Sequence, residues 1–141
     1  MERLTLSGVV VCVVGVATTL LGGWDVALQA LIAFMIIDYM AGLVVAGAFK
    51  RSGKSDTGAL SSSAARKGIY KKVMQLAFVV IGYFVDTYLG TGIVRNGVIL
   101  AFMSTELLSI IEHAGVMGVP LPPVLGKALD LLQQKKGDAN V

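Results

Sequence analysis

Hydrophobic positions in this chain fall in long unbroken runs rather than at amphipathic spacing. Residues 4–24, 26–49 and 73–94 are apolar almost throughout, and residues 97–119 form a weaker fourth run. About 20 apolar residues cross the hydrocarbon core of a bilayer, so each run is long enough to be a transmembrane helix. A water-soluble chain of 141 residues has no interior that could hide them all. The pattern predicts an all-α membrane protein, a single-domain bundle of about four transmembrane helices. Beyond them, in residues 123–134, Leu125, Ala128, Leu129 and Leu132 share one helical face, while Lys127, Asp130 and Gln134 lie elsewhere. That spacing predicts a C-terminal amphipathic helix at the membrane interface.

The breaks between runs are informative. Gly22-Gly23-Trp24-Asp25 predicts a tight turn with Trp24 at headgroup level, so the first two spans form a hairpin. The first run follows only Glu2 and Arg3, exceeds a typical signal-peptide core and lacks an A-x-A site, so it is expected to stay as a span. Residues 50–72 form a basic loop that opens with a small, polar, Gly-rich stretch; Ser61, Ser62 or Ser63 is placed to cap the helix that follows. Gly90 and Gly92 loosen the far end of the third span.

Composition supports a lipid setting. Hydrophobic residues make up 55% of the chain and charged residues 15%, with a mean hydropathy of +0.78, whereas soluble domains average about 25% charged. Seven basic residues cluster in the loop: Lys50, Arg51, Lys54, Arg66, Lys67, Lys71 and Lys72. They are expected to face anionic lipid headgroups, with Lys71 and Lys72 reaching up to the interface; without interleaved aromatics they do not suggest nucleic acid. With this loop in the cytoplasm, four spans put eleven of the twelve basic residues inside and leave only Arg95 outside. The chain is therefore expected to be multi-pass in the bacterial cytoplasmic membrane with both termini cytoplasmic. Cys12 is the only cysteine, which excludes an intrachain disulfide and suits a small side chain facing lipid or a neighbouring helix.

Polar residues inside the spans are the places to look for chemistry, because an acid at mid-membrane costs at least about 2.5 kcal/mol and rarely faces lipid. Asp38 shares a face with Ala41, Gly42 and Val45, and Gly42 and Ala46 form a small-xxx-small pair. Gln75, Val79, Gly82 and Asp86 make a second stripe; Thr105, Ser109 and Glu112 line up beside Glu106 and His113 on the fourth span. Such strips either meet inside one bundle or join copies around a water-filled opening. For Gly42 and Gly82 the two readings weigh evenly, and for Asp38 and Glu106 the second is favoured, with the fourth helix as the pore-lining element. Asp38, Gly42, Gly82, Asp86, Glu106, Ser109, Glu112 and His113 are thus the candidates for oligomerisation or pore lining. His113 is more simply an interfacial histidine than a pH switch. Glu112 and His113 diverge by about 100° on a helix and make no chelating face. No nucleotide fingerprint or catalytic triad is present, so neither an enzyme nor a metal or cofactor is expected.

Three stretches carry a resemblance: Asp38-Tyr39-Met40-Ala41-Gly42; Ser61-Ser62 through Lys67-Gly68-Ile69-Tyr70-Lys71-Lys72; and Glu106-Leu107-Leu108-Ser109-Ile110-Ile111-Glu112 through Gly118 to Pro120-Leu121-Pro122. In this order and spacing the chain resembles the toxin-secretion/phage-lysis holin family from about Leu31 to Leu132. The resemblance implies a homo-oligomer in the membrane that opens a lesion for a cytoplasmic endolysin or a toxin, its cargo rather than a tight binder. By position it implicates Asp38, Gly42, Lys67, Gly68, Lys72, Glu106, Ser109, Glu112 and Pro120; His113 stands where the family commonly has Asn. The next Met after Met1 is Met35, so no near-terminal second start is visible. The alternatives are a small multidrug-type transporter, disfavoured because the first span has no acid, and a non-pore membrane anchor for a partner protein.

Overall fold

The computed structural model describes residues 1–49 and 61–139 and contains five helices. They are α1 (Glu2–Leu20), α2 (Val26–Gly47), α3 (Ser62–Leu89), α4 (Ile93–Val116) and α5 (Pro123–Ala139). Among the described residues there is no strand, and α1 to α4 are long and apolar enough to cross a membrane.

Turn chemistry explains the boundaries. Gly22 and Gly23 adopt φ of 85° and 102°, a backbone region open to glycine at little cost. Asp25 then caps α2, its carboxylate accepting the Leu28 N–H at 2.9 Å. Ser61 plays the same part for α3 by accepting from Ala64, so the helix expected to follow a serine cap at 61–63 begins at Ser62 and takes in the last eleven residues of the basic stretch 50–72. The predicted division between the third and fourth spans is also shifted. Gly90 closes α3 in the left-handed conformation, and α4 starts at Ile93, four residues before the apolar run predicted there. The displacement has a simple cause: Ile93 and Val94 are apolar, so hydropathy runs through a turn that backbone geometry marks.

α4 is the centre of the molecule and packs against α2, α3 and α5. The apolar core joins Leu21, Leu28, Leu31 and Met35 to Val79 of α3 and Ile99 of α4, with Leu76, Val98, Phe102 and Met103 around it. Leu28, Leu31, Met35 and Asp38 recur at three- and four-residue spacing, which explains why one stripe of an otherwise uniformly greasy helix turns inward. On α3 the buried residues are Gln75, Val79, Gly82 and Asp86, the stripe the sequence marks. Much of the opposite surface remains apolar, with Ile36, Ile37, Met40, Met74, Ile81 and Phe84 all exposed.

α1 has no buried residue. Its hydroxyls bond back along the helix, Thr5 to Glu2 O at 2.8 Å, Ser7 to Arg3 O at 2.7 Å and Thr19 to Gly15 O at 2.8 Å. A helix whose polar groups are satisfied internally is able to face hydrocarbon on every side. α5 is amphipathic as its spacing predicts, and it folds back on α4 with Gly126, Ala128, Leu129 and Leu132 less exposed than their neighbours. Gln133, Lys136 and Gly137 share a crevice with Ser104, Thr105 and Leu108.

Candidate functional site: two polar clusters in one bundle

Two groups of polar side chains are buried between these helices, at different levels. The first lies at the end where α1 meets α2 and α3 meets α4. Arg95, one turn into α4, is 7% exposed and reaches across the bundle. Its Nε donates to Leu21 O at 2.6 Å, Nη1 to Asp25 Oδ2 at 2.7 Å, and Nη2 to Asp25 Oδ1 at 3.2 Å and Gly23 O at 3.3 Å. Hydrogen bonding from the Arg95 guanidinium, aided by the Leu28 N–H, holds the Asp25 carboxyl below its ordinary value.

Asp86 completes this clasp from α3. Its Oδ1 accepts from Thr91 Oγ1 at 2.6 Å and Val94 N at 2.9 Å, and its Oδ2 from Arg95 N at 2.8 Å. An aspartate from the preceding helix therefore answers the N–H groups that the first turn of α4 leaves free. Gly82 makes the approach possible, since a Cβ there would lie 3.0 Å from Arg95 Cα and 3.1 Å from its nitrogen.

The second cluster lies between the middles of α2, α3 and α4. Lys72 donates to Asp38 Oδ2 at 2.8 Å and, at short range, to Glu106 Oε2. Glu106 is 1% exposed, and its other oxygen accepts from Gln75 Nε2 at 2.8 Å. His113 Nδ1 stands 3.3 Å from Asp38 Oδ1. Among the described residues, three buried atoms here find no hydrogen-bond partner: Asp38 Oδ1, Gln75 Oε1 and His113 Nδ1. Two acids thus share one lysine in a place almost closed to solvent, with an imidazole at its edge.

The sequence candidates divide accordingly. Asp38, Glu106 and His113 come together around Lys72 within a single protomer, the simpler of the two arrangements open to the strips. Ser109 is half-buried on the same helix, while Glu112 is exposed and stays outside the cluster. Gly42 faces His113, where a Cβ would sit 3.5 Å from Cε1, an ordinary contact. Gly82 and Asp86 belong to the clasp instead.

One expectation is corrected outright. Lys72 does not face lipid headgroups; it turns into the bundle, because two carboxylates lie within reach and answer its charge better than a distant interface. Arg66, Lys67 and Lys71 are exposed, while Lys50, Arg51 and Lys54 lie outside the described residues. Two functional positions were not connected. Lys72 sits three residues before Gln75, so it extends the Gln75–Asp86 stripe by a turn. Arg95, noted only as the external base, falls between the third and fourth apolar runs in sequence, and only the start of α4 at Ile93 brings it inside a span, where a cation calls for a partner.

Comparison with known proteins adds an independent line. Residues 15–134 match the bacteriophage holin family. An uncharacterized protein of Listeria innocua is 35% identical over 120 residues, covering 84% of this chain and 80% of the relative. A 14.9 kDa protein encoded in the nagH 3' region of Clostridium perfringens is 31% identical over 121 residues, covering 84% and 86%. A protein named as a probable holin, from Bacillus phage phi105, is 26% identical over 107 residues, covering 75% and 73%. No solved structure matches.

Proposed function

The chain belongs to the bacteriophage holin family, and from that premise we propose that it is a non-enzymatic membrane protein that gathers in the bacterial cytoplasmic membrane and opens a lesion there. Endolysin or a toxin leaves through the lesion, and lysis follows at a set time. The observation that carries this reading is the family match across residues 15–134, which takes in α2 to α4 and both polar clusters.

Physical chemistry makes the reading coherent. Apolar helices gain nothing hydrophobic by associating in lipid, so small-residue packing and polar contacts must drive assembly. The protomer keeps Asp38 and Glu106 inside and presents Ile36, Ile37, Met40, Met74 and Phe84 outside, a surface suited to solitary life in a bilayer. A lesion lined by protein needs polar surface facing water. In this proposal α4 supplies it when crowded copies exchange contacts and its Glu106 and Ser109 face parts from Asp38 of α2. In this reading both termini and the start of α3 lie on the cytoplasmic side, where Arg66, Lys67 and Lys71 meet anionic headgroups.

Timed induction in a bacterium that also makes a cytoplasmic endolysin tests this. The expected course is normal growth, then abrupt loss of membrane potential and release of the endolysin to the wall. Dense membrane expression that never makes the cell leak would overturn the proposal, and substrate-dependent flux without lysis would point to a transporter.

A further inference from the structure

The crevice between α4 and α5 raises a question of depth. Ser104 and Thr105 stand midway along Ile93–Val116, and they line the crevice with Gln133, Lys136 and Gly137 from the last turns of α5. α5 therefore runs back along α4 as far as its middle. With α4 across a bilayer, Lys135, Lys136 and Asp138 would lie near the hydrocarbon centre, where an exposed charge is costly. All three are exposed, as are Lys127 and Asp130, and among the described residues none has an ion-pair partner. The docked helix suits water on its outer side, not lipid.

The flank of α4 beside it has the same preference. Thr105 and Glu112 are exposed there, and Ser109 lies between them on the same stripe, bordering the face that the lesion reading opens. Exposed positions on α2 and α3 instead include Ile36, Ile37, Met40 and Phe84, a surface for hydrocarbon. The seat is also loosely held. No described residue of α5 is buried. The Ser104 and Thr105 hydroxyls bond back to Leu100 O at 2.9 Å and Ala101 O at 3.0 Å, and among the described residues no side-chain hydrogen bond or ion pair joins α5 to α4. Residues 117–122, which connect the two helices, include Gly118 at φ 75° and Pro120 and Pro122, which have no N–H to donate.

We propose that α5 has two seats. While a copy is surrounded by lipid, α5 lies along the cytoplasmic headgroups with its Leu125, Ala128, Leu129 and Leu132 face in the interface. Once that flank of α4 is wet, α5 folds onto it as in this structure, and its charged side lines the water. The proposal rests on the lesion reading and adds α5 to the wall of the opening. Docking withdraws the apolar face of α5 from water while its charges stay hydrated, so it shifts the balance toward the wet state.

Tyr88, at the end of α3 away from the basic stretch, and Gln134 of α5 are both exposed and line no part of the crevice. The full-length chain with Cys12→Ser, Tyr88→Cys and Gln134→Cys takes a nitroxide at each. Pulsed dipolar spectroscopy reads their separation in single-copy nanodiscs. It is repeated in phosphatidylglycerol–phosphatidylethanolamine vesicles crowded with excess unlabelled native protein, with dye leakage recorded in parallel. The expected separation is longer in nanodiscs than in leaking vesicles by about 10–15 Å, the rise of the half-helix that α5 leaves. A short separation in nanodiscs, or a long one in leaking vesicles, would overturn the two seats alone. Crowded vesicles that never leak would overturn the lesion reading and the docked seat with it.

Discussion

The clasp around Arg95 and Asp86 and the cluster around Lys72 are built from similar residues and differ in how completely they are satisfied. In the clasp, both Asp86 oxygens and all three guanidinium nitrogens have partners. Most of those partners are backbone groups at helix ends, which need answering wherever a chain turns. The Lys72 cluster lies between helix middles, where the backbone is already committed to its own ladder and only side chains can respond. There, among the described residues, three buried atoms remain unpartnered. The first arrangement staples a fold together. The second holds charge beside buried polar atoms that a small displacement of one helix would expose or pair.

Removing the shared cation should break the comparison most sharply. Lys72→Met leaves Asp38 and Glu106 buried together without compensation, and the expected loss is about 3–5 kcal/mol, read as lower thermal or denaturant stability in micelles. Adding Asp38→Asn and Glu106→Gln should restore much of it. Full stability in the single variant would mean that the lysine does not hold the acids.

Two glycines sharpen the contrast at smaller scale. Gly82→Ala places a methyl 3.0 Å from the Arg95 backbone and should cost about 1–3 kcal/mol by prising α3 from α4. Gly42→Ala meets only His113 at 3.5 Å and should be near neutral for protomer stability. Any effect of a bulkier Gly42→Leu on crosslinked oligomers, with insertion intact, would then report on assembly. Equal melting of the two alanine variants would remove the claim that the clasp depends on close approach.

The smallest effect belongs to Asp25, half exposed at the rim of the clasp. Its carboxyl is held below the ordinary 3.8 by Arg95. The Asp25–Arg95 contribution is therefore complete above that value and lost as pH falls through the lower folded one. A stability curve recorded from pH 5 downward should lose this contribution in the native chain, whereas Asp25→Asn lacks it throughout.

Much of this architecture was legible beforehand. Four apolar runs announced four long helices, Gly22-Gly23 with Asp25 announced the first turn, and the Gln75–Val79–Gly82–Asp86 spacing picked out the buried face of α3. These are properties of a single segment: length, periodicity and the local needs of a turn. The inward reach of Lys72 was not legible, because sequence spacing does not say which of two nearby environments a long flexible side chain will choose. Nor was the division of the acids between a clasp and a cluster, since Asp38, Asp86 and Glu106 look alike until the levels of three helices are known.

What the chain alone determined is its solvent and its elements, because hydrocarbon imposes helices of a given length and penalises charge wherever it stands. Which charges meet was decided only in three dimensions. α4 became the hub, α1 was left without a buried side chain, and α5 folded back on α4. Pairing energies between buried groups depend on separations of a few ångströms, a quantity that sequence does not carry.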